Sequence, residues 1–449
     1  GWNGKVRFQH GSGFGMGYGQ SNARSAPTVL SAYPLSKGFM VAAAALNDNA
    51  HNANIAVQAE AMAMLKERIA EAYGPIRFAF GYGTSGGALT QQQLANAYPG
   101  IYDGIITNLN FPDSITTLVE IEDCSLLKGY FNAPGTWGAG IAWPDADRAA
   151  ASGHLSVGVC NEWIDRYGFQ YSLNPSRRGL NEDPTVDSVV GGCAGGRCCD
   201  VPASRLYNAT LNRNGQRCSF QDYVPTMMGR SEVDGFALRP YGNVGVQYGL
   251  KALKAGLITP AQFADLNAKI GAHDIEYTWR AGRVSADAPA VQRIYRAAVN
   301  DGAQLNKVAI IELRSTLING LHHQYRAWST RARIDRAHGE HPNHVIWFNN
   351  GSENAAQDAM DAWLTAVEAD KTEASRAMKL AANRPSAVAD RCGASPGAAT
   401  MQACTGLDDA STRMGAGAPL TDDVLDCQLV HPDRSSYGVT FTDDQWAQF

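Results

Sequence analysis

The chain is expected to adopt an α/β fold around a mostly parallel sheet, and three observations predict it. Short apolar runs alternate with helix-like stretches over residues 1–115, and the alternation resumes near 305. The apolar run Phe78-Ala79-Phe80 leads into Gly83-Thr84-Ser85-Gly86-Gly87 and then at once into a helical stretch, Ala88 to Tyr98. With 449 residues, 45% of them hydrophobic, the chain has enough apolar surface for a large core.

The elements come in the order of the chain. Val6 to Phe8 reads as the first strand, followed by the glycine loop His10 to Gly17. Gly38 to Ala44 is the next strand. A long amphipathic helix runs from Ile55 to Tyr73, with Met62, Leu65 and Ile69 at helical spacing and Gly74-Pro75 to end it. Ile76 to Phe80 feeds the serine turn, and Gly104 to Leu109 is one more strand. The pattern then changes. Residues 116–300 hold six of the nine cysteines and many turn residues, with short helices such as Pro260 to Lys269. This stretch is read as a cysteine- and glycine-rich lid inserted between two parts of the core, 1–115 and 301–449. In the second part, Lys307 to Leu313 and His344 to Phe348 are strands, while His323 to Ile334 and Asp358 to Leu380 are helices. The tail is expected to be stapled by Cys392, Cys404 and Cys427.

Charged residues make up only 18% of the chain and the net charge is −5, so no nucleic-acid partner is expected. No apolar run reaches the roughly 18 residues a membrane span requires. The cysteines match no paired C-x-x-C zinc pattern, and their gathering in turn-rich regions points to disulfides in a secreted or periplasmic protein. The sequons Asn208-Ala209-Thr210 and Asn350-Gly351-Ser352 fit export. No signal peptide opens the chain, and Trp2 to Gln9 reads as a strand already inside a fold, so upstream residues are expected to have been removed.

A serine between a strand and a helix sits on a sharp turn that lifts its hydroxyl toward substrate, which marks Ser85 as the nucleophile. Such a serine needs a base, an acid to orient that base, and donors for an oxyanion. Of the ten histidines, His322 and His323 lie just beyond the strand ending at Leu313, at an edge where catalytic groups of open sheets collect. His338, His341 and His344 have regular spacing but no second ligand cluster, so no metal and no cofactor is expected; His431 lies in the tail. Asp113, directly after the strand that succeeds the serine helix, is the favoured acid, with Glu312 as the alternative. The oxyanion donors are expected from the Gly86 amide and from Gly11, Ser12 or Gly13.

The strings Trp2-Asn3-Gly4-Lys5, Ala59-Glu60-Ala61-Met62, Lys66-Glu67-Arg68 and Gly83-Thr84-Ser85-Gly86-Gly87 carry a resemblance. Tyr98 to Gly104, Phe111-Pro112-Asp113, Asp123-Cys124, Arg331-Ala332-Arg333, Gly417-Ala418-Pro419-Leu420 and Cys427-Gln428-Leu429 extend it, leaving 165–300 thinly covered. Together they resemble a bacterial family of secreted α/β-hydrolases related to the tannase and feruloyl-esterase group. In that family an Ile-His pair occurs where Leu321-His322 stand, which favours His322 over His323. The resemblance implies an α/β-hydrolase fold and hydrolysis of a small or polymeric carboxylic ester through an acyl-enzyme. An amidase or peptidase using the same triad, and a catalytically inert binding protein of the same fold, are the other readings.

Overall fold

The computed structural model describes the chain except for residues 15–26, 50–51, 133–137, 168–203, 205–206, 209, 216–220, 222–224, 276, 316–319, 350, 394–400 and 403–409. Cys193, Cys198, Cys199, Cys218, Cys404 and the sequon residue Asn350 lie outside the described residues.

Eight strands form one sheet. They are β1 (Lys5–Gln9), β2 (Met40–Ala42), β3 (Phe78–Thr84), β4 (Gly104–Asn108), β7 (Ala309–Arg314), β8 (His344–Phe348), β9 (Arg391–Gly393) and β10 (Met401–Gln402). The spatial order is β10-β9-β8-β7-β4-β3-β1-β2. All neighbours are parallel except the terminal pair β9 and β10. A separate hairpin pairs β5 (Ala272–His273) with β6 (Trp279–Arg280). The central strands are buried on both faces, as helices on either side of a parallel sheet require: every residue of β7 and of β8 is buried. This is the mostly parallel α/β architecture that the alternating pattern predicts, and it agrees with the α/β-hydrolase fold that the resemblance implies.

Among the described residues, six α-helices lie before residue 168. They are α1 (Ala32–Ser36), α2 (Ile55–Tyr73), α3 (Gly86–Ala97), α4 (Ser114–Asn132), α5 (Asp145–Ser152) and α6 (Gly158–Tyr167). Asn54 caps α2 by accepting from the amides of Ala56 and Val57, and Gly74 ends it at φ 103°. Helix α3 is buried along nearly its whole length although it contains Gln91-Gln92-Gln93. Each glutamine has a partner that ties the helix to β4 or to the segment after it: Gln91 Nε2 donates to Ile106 O, Gln92 Nε2 to Pro112 O and Gln93 Nε2 to Ser114 Oγ.

Three expectations change. Cys427, expected to help staple the tail, is a free thiol. Residues 116–300 do not consist of short helices only, because α4 spans 19 residues and is buried through most of its length. The long helix expected over Asp358 to Leu380 is two helices, Glu353–Ala369 and Arg376–Ala382. Local polar groups compete successfully with the helix at the break: Asp370 Oδ1 accepts from the Thr372 amide, and Ser375 caps the second helix through Met378 N.

One apolar cluster draws on all three expected parts of the chain. It joins Leu89, Phe111 and Ile115 to Leu118, Val159, Trp163 and Ile294, and to Leu321 and Leu425.

Candidate active site

Register places the carboxyl ends of β3, β4 and β7 side by side, with Thr84 beside Asn108 and Asn108 beside Leu313. At this edge the chain turns sharply. Ser85, Leu109 and Asn349, each the first residue past a parallel strand, have φ of 55°, 49° and 54°. Non-glycine residues at positive φ cost about 1–3 kcal/mol each and persist where surrounding structure enforces them. Ser85 is held by its own amide, which donates to Asn108 O at 2.9 Å, and by its carbonyl, which accepts from Leu89 N at 2.9 Å.

The glycines beside Ser85 make room for the loop after β1. A Cβ on Gly86 would lie 1.8 Å from Gly13 O, and one on Gly87 would lie 1.9 Å from Gly11 O. No side chain fits at either position. The loop is therefore pressed onto the turn, as expected. It presents a carbonyl there rather than an amide, because Gly86 N donates to Ser12 O at 3.2 Å.

His322 Nε2 lies 2.9 Å from Ser85 Oγ, 237 residues apart in sequence. With Nε2 unprotonated the imidazole accepts from the hydroxyl, which is the contact a base needs in order to take the serine proton. Phe111, from the segment after β4, stands against the His322 ring with centroids 5.3 Å apart. Just before His322, the Leu321 amide donates to Glu162 Oε2 of α6 at 3.1 Å.

His323 points elsewhere. It is buried, stacked on His154 at 4.8 Å with the rings 14° apart, and its Nε2 lies 3.7 Å from Glu120 Oε1. Glu120 also receives Arg326 Nη2 at 2.5 Å and Tyr325 Oη at 2.9 Å. Burial alone would raise its carboxyl, but Arg326, with His154 and His323, outweighs that and holds it down at about 2. Glu120, His154 and His323 are near enough to one another to share a cation. The Arg326 guanidinium on the same carboxylate already supplies that charge.

Neither acid expected from the sequence meets His322. Asp113 is fully buried, but its carboxylate accepts from Thr116 N at 2.8 Å, from Thr116 Oγ1 at 2.7 Å and from Arg333 Nη1 at 2.6 Å. It caps the first turn of α4 and neutralises a buried arginine, so its position past β4 is as expected and its direction is not. Glu312 lies within β7, where it pairs with Arg314 Nη2 at 2.9 Å and His344 Nε2 at 3.3 Å. Burial would raise its carboxyl too; His344 and Arg314 bring it below the ordinary value.

The remaining histidines do not converge. His338 contacts Asn306 Nδ2 at 3.3 Å, His341 contacts Asp335 at 2.6 Å, and His431 is exposed. Sequence reasoning did not single out Glu162, Trp163 or Arg326. Trp163 packs edge-on to Phe111 at 5.7 Å, and the Arg326 guanidinium lies 4.5 Å from the Phe111 ring. Nothing in local spacing marks Glu162, which meets the His322 loop from 159 residues upstream.

The chain matches the tannase-like family of unknown function (DUF6351) over residues 1–449. It belongs to that family. Among solved structures, this family member is similar to feruloyl esterase B from Aspergillus oryzae, with 13% identity over 81% of this chain and 76% of that one and a TM-score of 0.37. A second esterase from Aspergillus oryzae gives 13% identity, 81% and 75% coverage and a TM-score of 0.36. Esterase E22 gives 12% identity, 85% and 90% coverage and a TM-score of 0.28. Comparison with curated proteins found no match.

Proposed function

We propose that this member of the tannase-like family is a serine hydrolase that cleaves carboxylic esters through an acyl-enzyme. The observation that carries the reading is the 2.9 Å contact between His322 Nε2 and Ser85 Oγ at a positive-φ turn between β3 and α3. Ser85 Oγ attacks the ester carbonyl carbon as its proton passes to His322 Nε2. The imidazolium returns that proton to the departing alkoxide. Water then attacks the acyl-Ser85 carbonyl, giving its proton to His322, and the acid leaves as Ser85 is regenerated.

The Gly86 amide is the donor for the tetrahedral oxygen, which displaces the Ser12 carbonyl from it. Exchanging one such hydrogen bond costs about 0.5–1.5 kcal/mol, a small part of what an oxyanion donor returns in the transition state. Helices α4 and α6 of the inserted stretch meet the carboxyl edge of the sheet at Phe111 and Leu321 and help select the ester. The buried disulfide between Cys124 and Cys160, together with the disulfide-bonded Cys392, supports an oxidising, extracytoplasmic setting. No helix among the described residues is long and apolar enough to cross a membrane.

Fluorophosphonate labelling with peptide mass spectrometry tests the reading, on the wild type and on Ser85→Ala, beside turnover of short-, long- and aromatic-acyl esters. An adduct on Ser85 with ester turnover is expected. A folded wild-type protein that is neither labelled nor active would move the weight to an inert binding protein, and amide turnover without ester turnover would move it to an amidase.

A further inference from the structure

The reaction proposed for Ser85 and His322 needs the His322 segment held in place. Asp113 belongs to Arg333, Glu312 to Arg314 and His344, and Glu120 to Arg326 and Tyr325. We propose that Glu162 of α6 is the positioning residue for His322, gripping the loop immediately before it through the Leu321 amide.

The geometry around Glu162 is built for this task. Its Oε2 accepts from Leu321 N at 3.1 Å, and a Cβ on the preceding Gly320 would lie 3.3 Å from the same oxygen. Two consecutive loop residues therefore bend around one carboxylate. An amide held one residue before His322 fixes the φ and ψ from which the imidazole is launched toward Ser85.

Helix α6 is itself anchored on both sides of Glu162. Cys160, two residues earlier, is bridged to Cys124 of α4, which is fully buried. Trp163, the next residue, is also fully buried and meets Phe111, the ring that stands against His322. Glu162 and Phe111 thus hold the His322 segment from its backbone and from its ring, and both rest on the same stretch of α6. The carboxylate also places negative charge beside the segment that carries the imidazole, which favours the imidazolium formed during acylation.

The inference rests on the serine-hydrolase reading, and the experiment separates the two. Wild type, Glu162→Gln and Glu162→Ala are compared for the rate of fluorophosphonate labelling and for kcat and KM on a p-nitrophenyl ester across pH. Glu162→Ala is expected to lower kcat and the labelling rate together by roughly 10–100-fold, the scale of a misplaced catalytic group, with KM little changed. Glu162→Gln keeps an acceptor for the Leu321 amide but loses the charge. It is expected to recover much of the rate while the acid limb of kcat/KM moves about half a unit or more to lower pH. A purely structural role would not move that limb. Labelled wild type with an unchanged rate and limb in both variants would overturn the role of Glu162 alone. A wild type that fails to label at Ser85 would overturn both proposals.

Discussion

Asp113 shows how a single side chain can sit where chemistry wants it and serve another purpose. It lies just past β4 at the edge that gathers Ser85 and His322, yet Arg333, 220 residues away, takes its carboxylate. Both side chains are almost wholly inaccessible. Removing one partner of a buried pair leaves the other charge uncompensated, at about 3–5 kcal/mol. Asp113→Asn is therefore expected to lower the denaturation midpoint steeply while the folded fraction still labels at Ser85. Normal stability with slow labelling would return the orienting role to Asp113. His322→Ala should lose ester turnover by on the order of 10³-fold or more while keeping its melting temperature, because the residue meets Ser85 and is only half-buried. Labelling at the wild-type rate in that variant would transfer the role of base to another group.

At the scale of elements, the alternation that builds the sheet was legible because buried parallel strands read as continuous apolar runs, as in Val345 to Phe348. The serine turn was legible because its glycines are demanded locally, by loop atoms that would lie within 2 Å of a Cβ. His322 was within reach because it lies just past a recognisable strand. The partners of Asp113 and Glu162 were not legible, since each pairing joins segments far apart in sequence and depends on side-chain direction, which no local pattern records. The break after Ala369 was missed for a different reason: Asp370, Thr372 and Ser375 end one helix and begin the next through short polar bonds that outweigh helical periodicity. The bridge between Cys124 and Cys160 closes a separation of 36 residues and ties α6 to α4. A Cys124→Ser, Cys160→Ser double variant should lose about 2–4 kcal/mol in denaturant unfolding, and a reducing agent should destabilise the wild type more than the variant, which keeps the disulfide at Cys392. Equal sensitivity of the two to reduction would place the effect at another disulfide.

For the whole molecule, three buried groups with large shifts bear on the acid response. Burial lowers His10 from 6.5 to about 4, so its contribution to stability falls as pH drops from 6.5 to 4. Glu120, held at about 2 against an ordinary 4.5, contributes above pH 4.5 and loses that contribution toward pH 2. Asp422 runs the other way: burial first, then Glu120, raises it from 3.8 to about 6, so the fold gains as pH falls from 6 to 3.8. His10 and Asp422 oppose one another over nearly the same window. Stability should be almost level from pH 7 to 4 and then decline. In Asp422→Asn the decline should begin near pH 6.5, as urea midpoints across pH would show; an unchanged profile would mean that Asp422 does not titrate in this window.

The apolar cluster shared by Leu89, Trp163, Leu321 and Leu425 carries a consequence for anyone who would retarget the proposed esterase. Exchanging residues 116–300 for the corresponding segment of a relative would strip one wall from the core that supports the serine helix and the histidine loop. If that segment selects the ester as proposed, its specificity is not transplanted by swapping the segment alone; a working chimera has to carry over the matching faces of α3 and of the tail around Leu425.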